Sequence, residues 1–142
     1  MKRIVIGLAA VLAAAIAADV PLIQPADLAS QLAAKPAIYY VGPNVLYRNK
    51  HIPGSIFAGM AARADGLDGL KAAVAKLPRD QQVVIYCGCC PWSHCPNIKP
   101  AMALLQQMGF TKAKALYLPT DFKFDWIDKG YPLEAGTASQ KP

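Results

Sequence analysis

All four cysteines of the chain lie in one short stretch, Y-C-G-C-C-P-W-S-H-C-P-N, which runs from Tyr86 to Asn97. A thiolate is a nucleophile and a soft metal ligand, and two thiols can form a disulfide. The stretch could therefore hold a reactive thiol, a metal ion or a disulfide. The elements on either side of it decide where the sulfurs lie.

These flanking elements predict a site for negative charge. The run Q-V-V-I-Y (82–86) is typical of a parallel strand buried on both faces, and it ends directly at Cys87. A helix is predicted to begin near Asn97 or Lys99. Free backbone N–H groups and the helix dipole at such a helix start lower the pKa of a thiol and stabilise a thiolate.

Cys87 is the first candidate for the nucleophile, because it stands where the strand ends. Cys90 and Cys95 are the alternatives, since a long loop could bring either one closer to the helix start. A persulfide anion would be held by the same backbone donors. The residues predicted to contact a substrate are Gly88, Cys89, Cys90, Trp92, Ser93, His94 and Lys99.

The cysteine stretch also fits two other uses. Four soft ligands with His94 nearby favour Cu(I) or Zn(II), and one cluster with a C-x-C-C core suits Cu(I) better than the separated pairs of structural zinc sites. The predicted metal ligands are Cys87, Cys89, Cys90 and Cys95. Cys87 and Cys90 also have the C-x-x-C spacing of thiol-disulfide oxidoreductases, and four cysteines permit three complete pairings.

The rest of the chain alternates between helical and strand patterns. Such alternation predicts one α/β domain, with helices flanking a central, mostly parallel sheet. We place the domain at 18–135 and a flexible tail at 136–142. Helices are predicted at 25–35, 67–77 and 121–130, and strands at 37–41, 55–57, 82–86 and 115–118.

The N-terminus has the layout of a secretory signal peptide, with two basic residues, an apolar run and small residues. We predict residues 1–17 as the signal and cleavage after Ala17; a new N-terminus at Ala18 or a nearby alanine and an uncleaved membrane anchor are the alternatives. The apolar run from Ile4 to Ala18 is shorter than the roughly 20 residues of a spanning helix, so no stable membrane insertion is expected after cleavage. The predicted product is exported to the periplasm or secreted, where thiols meet an oxidising environment.

Charge narrows the choice of partner. Cleavage would lower the formal net charge from +6 to +4, and the chain has no Lys/Arg run that indicates nucleic-acid binding. The segment 81–120 contains three lysines and neither Asp nor Glu. An anion near the cysteines would meet no fixed negative charge in that segment. Burial of the segment would explain its composition equally well.

Three segments resemble the rhodanese family of sulfurtransferase domains. H-I-P-G-S-I-F-A-G (51–59) resembles the family's H-I-P-G-A turn, and the strand closing in Y-C resembles the one that leads to its catalytic cysteine. L-L-Q-Q-M-G-F (104–110) and W-I-D-K-G-Y-P (126–132) resemble its C-terminal part. The family's loop after the cysteine is compact and often holds Arg and Gly, whereas the loop after Cys87 is longer and holds Cys, Pro, Trp and His.

The resemblance implies a rhodanese-like fold with Cys87 at the position of the family's nucleophile. It further implies an exported sulfurtransferase, similar to thiosulfate sulfurtransferases, that carries sulfane sulfur as a persulfide. The implied partners are a small sulfur-containing anion as donor and a thiol, including a protein thiol, or cyanide as acceptor, without a cofactor. A Cu(I)/Zn(II)-binding protein and a redox or docking module on the same scaffold are the alternatives, because a fold does not fix function.

Overall fold

The computed structural model describes residues 19–136 of the chain, in which strands and helices alternate. The strands are β1 Leu22–Ile23, β2 Ala37–Tyr40, β3 Ile56–Phe57, β4 Val83–Tyr86 and β5 Ala113–Leu116. The helices are α1 Pro25–Gln31, α2 Asn44–Asn49, α3 Ala64–Val74 and α4 Ile98–Gln107. Short 3-10 turns lie at Leu32–Ala34 and Trp92–His94, and a π-type turn at Lys123–Ile127.

The five strands form one parallel sheet in the order β1-β5-β4-β2-β3. β4 is central, and its four residues are fully buried, which explains its continuous apolar sequence. Because all strands are parallel, their carboxyl ends meet at one edge, where ligands bind in folds of this kind. The predicted α/β class and mostly parallel sheet are confirmed.

Each face of the sheet has its own apolar core. Leu70 and Val74 of α3 cover one face together with Met102 and Leu105 of α4. Helices α1 and α2 and the π-type turn cover the other face. Trp126 of that turn is fully buried and donates its indole N–H to Pro132 O at 2.9 Å, so its predicted place in the core is confirmed.

Three short elements differ from the sequence prediction. α2 lies in a segment predicted as loop, and its six residues are held by the stacking of the Tyr47 ring on His51, with centroids 4.0 Å apart. β1 has only two residues, too few for a periodic pattern. The predicted final helix at 121–130 is instead the π-type turn of five residues.

The chain ends lie largely outside the described residues. The predicted signal peptide, residues 1–17, and tail residues 137–142 are in those segments. Gly136, where the predicted tail begins, donates its N–H to Arg48 O at 2.9 Å. Between residues 19 and 136, no helix has the length and apolar character needed to cross a membrane.

Candidate functional site

Strand β4 delivers Cys87 to the carboxyl edge of the sheet, where the residue is only 2% exposed. Gly88 then turns the chain with a φ of +71°, in the left-handed region that favours glycine. Its carbonyl accepts the Phe122 N–H at 3.1 Å, and a Cβ on Gly88 would stand 2.7 Å from Phe122 Cβ. The turn therefore fixes where the Cys87 thiol lies.

Asn97, just before α4, contacts the Cys87 thiol from the other side. Its side chain is buried, and its Oδ1 accepts the Ala62 N–H at 2.9 Å. This contact orients the amide so that Nδ2 donates to Cys87 Sγ at 3.4 Å. From sequence, Asn97 is predicted only as a helix start, although a polar residue directly before a helix that follows a cysteine loop is a signal for such a contact.

The loop brings three of the four thiols together. The Sγ atoms of Cys87, Cys89 and Cys95 all lie within 4.8 Å of one another. The 3-10 turn Trp92–His94 folds the chain back and so returns Cys95 to the strand end. Cys90 lies outside this trio, although its Sγ is 3.2 Å from Cys89 Sγ. All four cysteines are free thiols.

Cys87 and Cys95 differ in proton affinity. The pKa of Cys95 is lowered to about 5, first by the Cys87 thiol acting as donor and then by the backbone N–H groups of Asn97 and Ile98 at the start of α4. Cys95 and burial together raise the pKa of Cys87 well above its ordinary value. Near neutral pH the pair therefore carries one negative charge, centred on Cys95.

Cys90 has a different electrostatic position. Burial, followed by the neighbouring Cys89, raises its pKa to about 12. Cys90 is therefore a neutral thiol at neutral pH, whereas Cys95 is a thiolate. Cys90 remains an alternative nucleophile by sequence, but without the charge that makes a thiol reactive.

Two cavities border the thiol trio, and they share no lining residue. The first, of about 400 Å³, contains Cys87 and Cys89 in its wall and is otherwise lined mainly by apolar groups such as Phe122. Two exposed lysines, Lys50 and Lys123, also line it, and Lys123 pairs with Asp128 at 2.8 Å. The second, of about 730 Å³, is lined by Trp92, Ser93, His94, Cys95, Ile98 and Lys99.

The predicted substrate contacts therefore divide between the two cavities. Gly88 and Cys89 line the first, whereas Trp92, Ser93, His94 and Lys99 line the second beside Cys95. His94 is exposed, and its Nδ1 lies 2.9 Å from Ser93 Oγ. Trp92 packs edge-on against Tyr117 with centroids 5.3 Å apart. Cys90 lines neither cavity.

His51 of the H-I-P-G turn serves the fold rather than a cavity. It is buried, its Nδ1 lies 2.8 Å from Tyr47 O, and its Nε2 lies 3.3 Å from Glu134 Oε2. These contacts join the turn to the C-terminal segment. The residues of the first cavity that the sequence analysis did not assign are Tyr40, Leu46, Asn49, Lys50, Asp121, Phe122, Lys123 and Ile127.

Solved structures share this architecture. The rhodanese-like domain of the Alr3790 protein from Anabaena sp. aligns with a TM-score of 0.59 and 20% identity, over 86% of this chain and 84% of that domain. Thiosulfate sulfurtransferase from Pseudomonas aeruginosa aligns with a TM-score of 0.61 and 21% identity, over 83% of this chain and 21% of that protein.

EanB supplies a third comparison. A variant of it that carries a cysteine persulfide, solved with ergothioneine, aligns with a TM-score of 0.60 and 16% identity, over 80% of this chain and 28% of that protein. No protein-family model and no curated protein sequence matches the chain. At these identities the similarity establishes the fold, and the predicted rhodanese-like fold is confirmed.

Proposed function

We propose that the chain is a rhodanese-like sulfurtransferase that carries sulfane sulfur as a persulfide on Cys87. One observation carries the proposal: the Cys87 thiol lies in the wall of a cavity at the carboxyl edge of the sheet and shares one negative charge with Cys95. A thiosulfate sulfurtransferase and a persulfide-bearing enzyme among the solved structures with this fold support it.

The proposed first step loads sulfur from thiosulfate or a similar anion. The donor enters the first cavity, where Lys50 supplies positive charge; the charge of Lys123 is paired with Asp128, and Asp121 adds a carboxylate to the wall. Cys87 sulfur attacks the outer sulfur of the donor while its proton passes to the Cys95 thiolate. A sulfur–sulfur bond forms on Cys87, the bond between the two donor sulfurs breaks, and sulfite leaves with the electron pair. The products are the Cys87 persulfide anion, neutral Cys95 and sulfite.

The second step removes the sulfur. Cyanide, or the thiolate of an acceptor, attacks the outer sulfur of the persulfide, and the bond to Cys87 Sγ breaks. Cyanide leaves as thiocyanate, whereas a thiolate leaves as a new persulfide. Cys87 keeps the electron pair and takes its proton back from Cys95, which restores the starting charge of the pair.

Peptide mapping by mass spectrometry tests the proposal. Reduced protein is incubated with thiosulfate, and the cysteine peptide is examined for one added sulfur. We expect the sulfur on Cys87 in the wild-type protein and in Cys90→Ser, the matched control, and none in Cys87→Ser. A wild-type protein without added sulfur at any cysteine contradicts the proposal, and sulfur on Cys95 would make that residue the carrier.

The proposal places this reaction outside the cytoplasm, on the basis of the signal-like sequence of residues 1–17. Fractionation of cells that express the full chain tests this point, combined with N-terminal sequencing of the product. We expect a periplasmic or secreted protein that begins after Ala17. A cytoplasmic protein that keeps Met1 would contradict export and leave sulfur transfer unaffected.

A second candidate function is Cu(I) binding, which the spacing of the three sulfurs favours. Thiolates select Cu(I), and three sulfurs about 2.3 Å from one ion in a plane would lie about 4.0 Å apart. The sulfurs of Cys87, Cys89 and Cys95 lie within 4.8 Å of one another, so a small contraction would complete the site. Cys90, predicted as a fourth ligand, lies outside this trio.

Anaerobic titration with Cu(I) against a competing chelator tests this candidate. We expect one ion per chain, retained by Cys90→Ser and lost by Cys95→Ser. If Cys90→Ser also loses the ion, the three-sulfur site is wrong. Copper binding would not decide whether the protein transfers sulfur. Sulfur loading of the metal-free protein is measured separately in the peptide experiment.

A further inference from the structure

The hydroxyl of Tyr40 lies in the buried interior without a hydrogen-bond partner. Tyr40 is 2% exposed, and within residues 19–136 nothing donates to or accepts from its Oη atom. Leaving such a group unpaired in the interior costs free energy. A buried donor without a partner at the edge of a candidate site is explained if a ligand supplies the acceptor.

The unpaired hydroxyl faces the candidate carrier of sulfur. A Cβ on Gly42 would stand 2.7 Å from Tyr40 Oη and 2.6 Å from Cys87 Sγ, so the two atoms border the same small space. The absence of a side chain at Gly42 leaves that space free. Tyr40 and Cys87 also both line the first cavity, through which a donor would arrive.

The Tyr40 ring is held in place by its neighbours. It packs edge-on against Tyr86 with centroids 5.0 Å apart, and against Tyr47 at 5.6 Å. Burial raises the pKa of the hydroxyl well above its ordinary value, so it stays protonated. Tyr40 is thus a fixed hydrogen-bond donor.

We infer that Tyr40 Oη and Cys87 Sγ form a subsite for the transferred sulfur, in which the hydroxyl donates a hydrogen bond to the outer sulfur of the Cys87 persulfide. This inference rests on the proposed function. The outer sulfur lies about 2.05 Å from Sγ and carries the negative charge of the persulfide. Because the reaction adds this atom, no contact within the fold depends on it. Asn97 contacts the inner sulfur from α4, so the two donors would hold the two sulfurs from different sides.

The reversible loading reaction measures this hydrogen bond directly. Reduced protein, thiosulfate and sulfite are brought to equilibrium, and the fraction of Cys87 persulfide is read by mass spectrometry. A hydrogen bond to a charged acceptor stabilises it by an amount equal to about a 10- to 100-fold change in an equilibrium constant. We therefore expect Tyr40→Phe to lower the loading constant by about 10- to 100-fold.

The sulfur-free protein provides the structural control. Since the hydroxyl has no partner there, Tyr40→Phe removes an unpaired buried group, and its melting temperature should stay the same or rise. Tyr39→Phe is the matched variant: it removes a hydroxyl from the same strand, one that donates to Ala73 O at 3.4 Å, and its loading constant should not change. A purely structural role of Tyr40 would instead lower the melting temperature and leave the loading constant unchanged.

A second variant approaches the subsite from the opposite wall. The methyl of Gly42→Ala would occupy the space between Oη and Sγ, and φ at Gly42 lies outside the left-handed region, so the change is steric. We expect it to lower the loading constant at least as much as Tyr40→Phe. If Tyr40→Phe loads as the wild type does, the subsite is wrong, whatever Gly42→Ala does, while sulfur transfer stands. If the wild-type protein forms no persulfide on Cys87, both proposals fail.

Discussion

Cys87 and Cys95 lie within 4.8 Å of each other but occupy two different environments. Cys87 is buried against the core, contacts Asn97 and opens onto the apolar first cavity. Cys95 is partly exposed at the start of α4 and opens onto the second, more polar cavity. The Cys87 thiol acting as donor, followed by the backbone N–H groups at the helix start, lowers the pKa of Cys95 and so places the negative charge on that side.

The position suited to carrying sulfur and the lowered thiol pKa therefore belong to two different cysteines. Cys87 has the position of a carrier, with a cavity for the donor and an unpaired hydroxyl nearby. Cys95 is the thiolate of the pair, and its charge is stabilised by the Cys87 thiol and by backbone N–H groups at the start of α4. If Cys87 and Cys95 act as one pair, substitutions beside Cys87 and substitutions beside Cys95 should affect sulfur loading and stability differently.

The largest effect is expected from Cys95→Ser, which removes the proton acceptor of the pair. Cys87 then remains a buried neutral thiol at neutral pH, and the rate of loading should fall about 100-fold, as is typical for loss of a general base. The rate of the variant should rise with pH into the alkaline range, whereas the wild-type rate should level off above about pH 5. Equal pH profiles would show that the pair does not share a proton.

Gly88→Ala should destabilise the turn that positions Cys87, because the turn has no room for a side chain. The new methyl would need a left-handed φ and would stand 2.7 Å from Phe122 Cβ and 2.9 Å from Leu118 Cδ1. We expect a loss of about 2–3 kcal/mol in the free energy of unfolding, measured with urea. Gly109 also has a left-handed φ, +87°, but an added Cβ there would meet no heavy atom within 4 Å. The control variant Gly109→Ala should therefore lose only about 1 kcal/mol in the free energy of unfolding. Equal losses would mean that contact with Phe122 is unimportant.

Stability should depend on pH through the Cys95 side. The pKa of Cys95 is about 5 in the folded protein and near 9.0 when unperturbed, so unfolding takes up a proton between these values. The contribution of Cys95 to the stability of the reduced protein is therefore complete above about pH 9, and it is lost as the pH falls toward 5. Urea unfolding of wild type and Cys95→Ser at several pH values should show a slope that the variant lacks. Parallel slopes would contradict a depressed Cys95 pKa.

The smallest effects are expected at the second cavity, away from Cys87. His94 and Lys99 are exposed, and His94 pairs only locally with Ser93. His94→Ala and Lys99→Ala should each change the rate of loading from thiosulfate less than about threefold, in line with other surface substitutions. A large loss in Lys99→Ala would instead indicate that the donor enters through the second cavity and would reverse the roles of the two sides.

Sequence patterns located the strong elements of the fold. The run from Val83 to Tyr86 is apolar because both faces of β4 are covered, and α4 begins at Ile98, between the predicted starts Asn97 and Lys99. They did not locate β1 or α2, whose order depends on pairing with β5 and on packing against His51. Short elements lack a periodic signal, so tertiary contacts decide them.

In the candidate site too, sequence order located some residues and only the fold located the others. Residue order alone placed Cys87 at the strand end and the helix start near Asn97. It could not separate Cys90 from Cys95, because a loop with two prolines can fold in several ways. The 3-10 turn at Trp92–His94 decided that Cys95 returns to Cys87 while Cys90 stays outside the trio.

Residue patterns established the alternation of elements, the parallel sheet around an apolar strand, and the location of every cysteine in one loop at the end of that strand. Only the tertiary structure decided which thiols meet, which of them carries charge, and that Tyr40 and Asn97 border Cys87. The physical reason is distance. Periodicity and capping act over a few neighbouring residues, whereas Tyr40, Cys87 and Asn97 are brought together by strand register and helix packing across more than fifty positions.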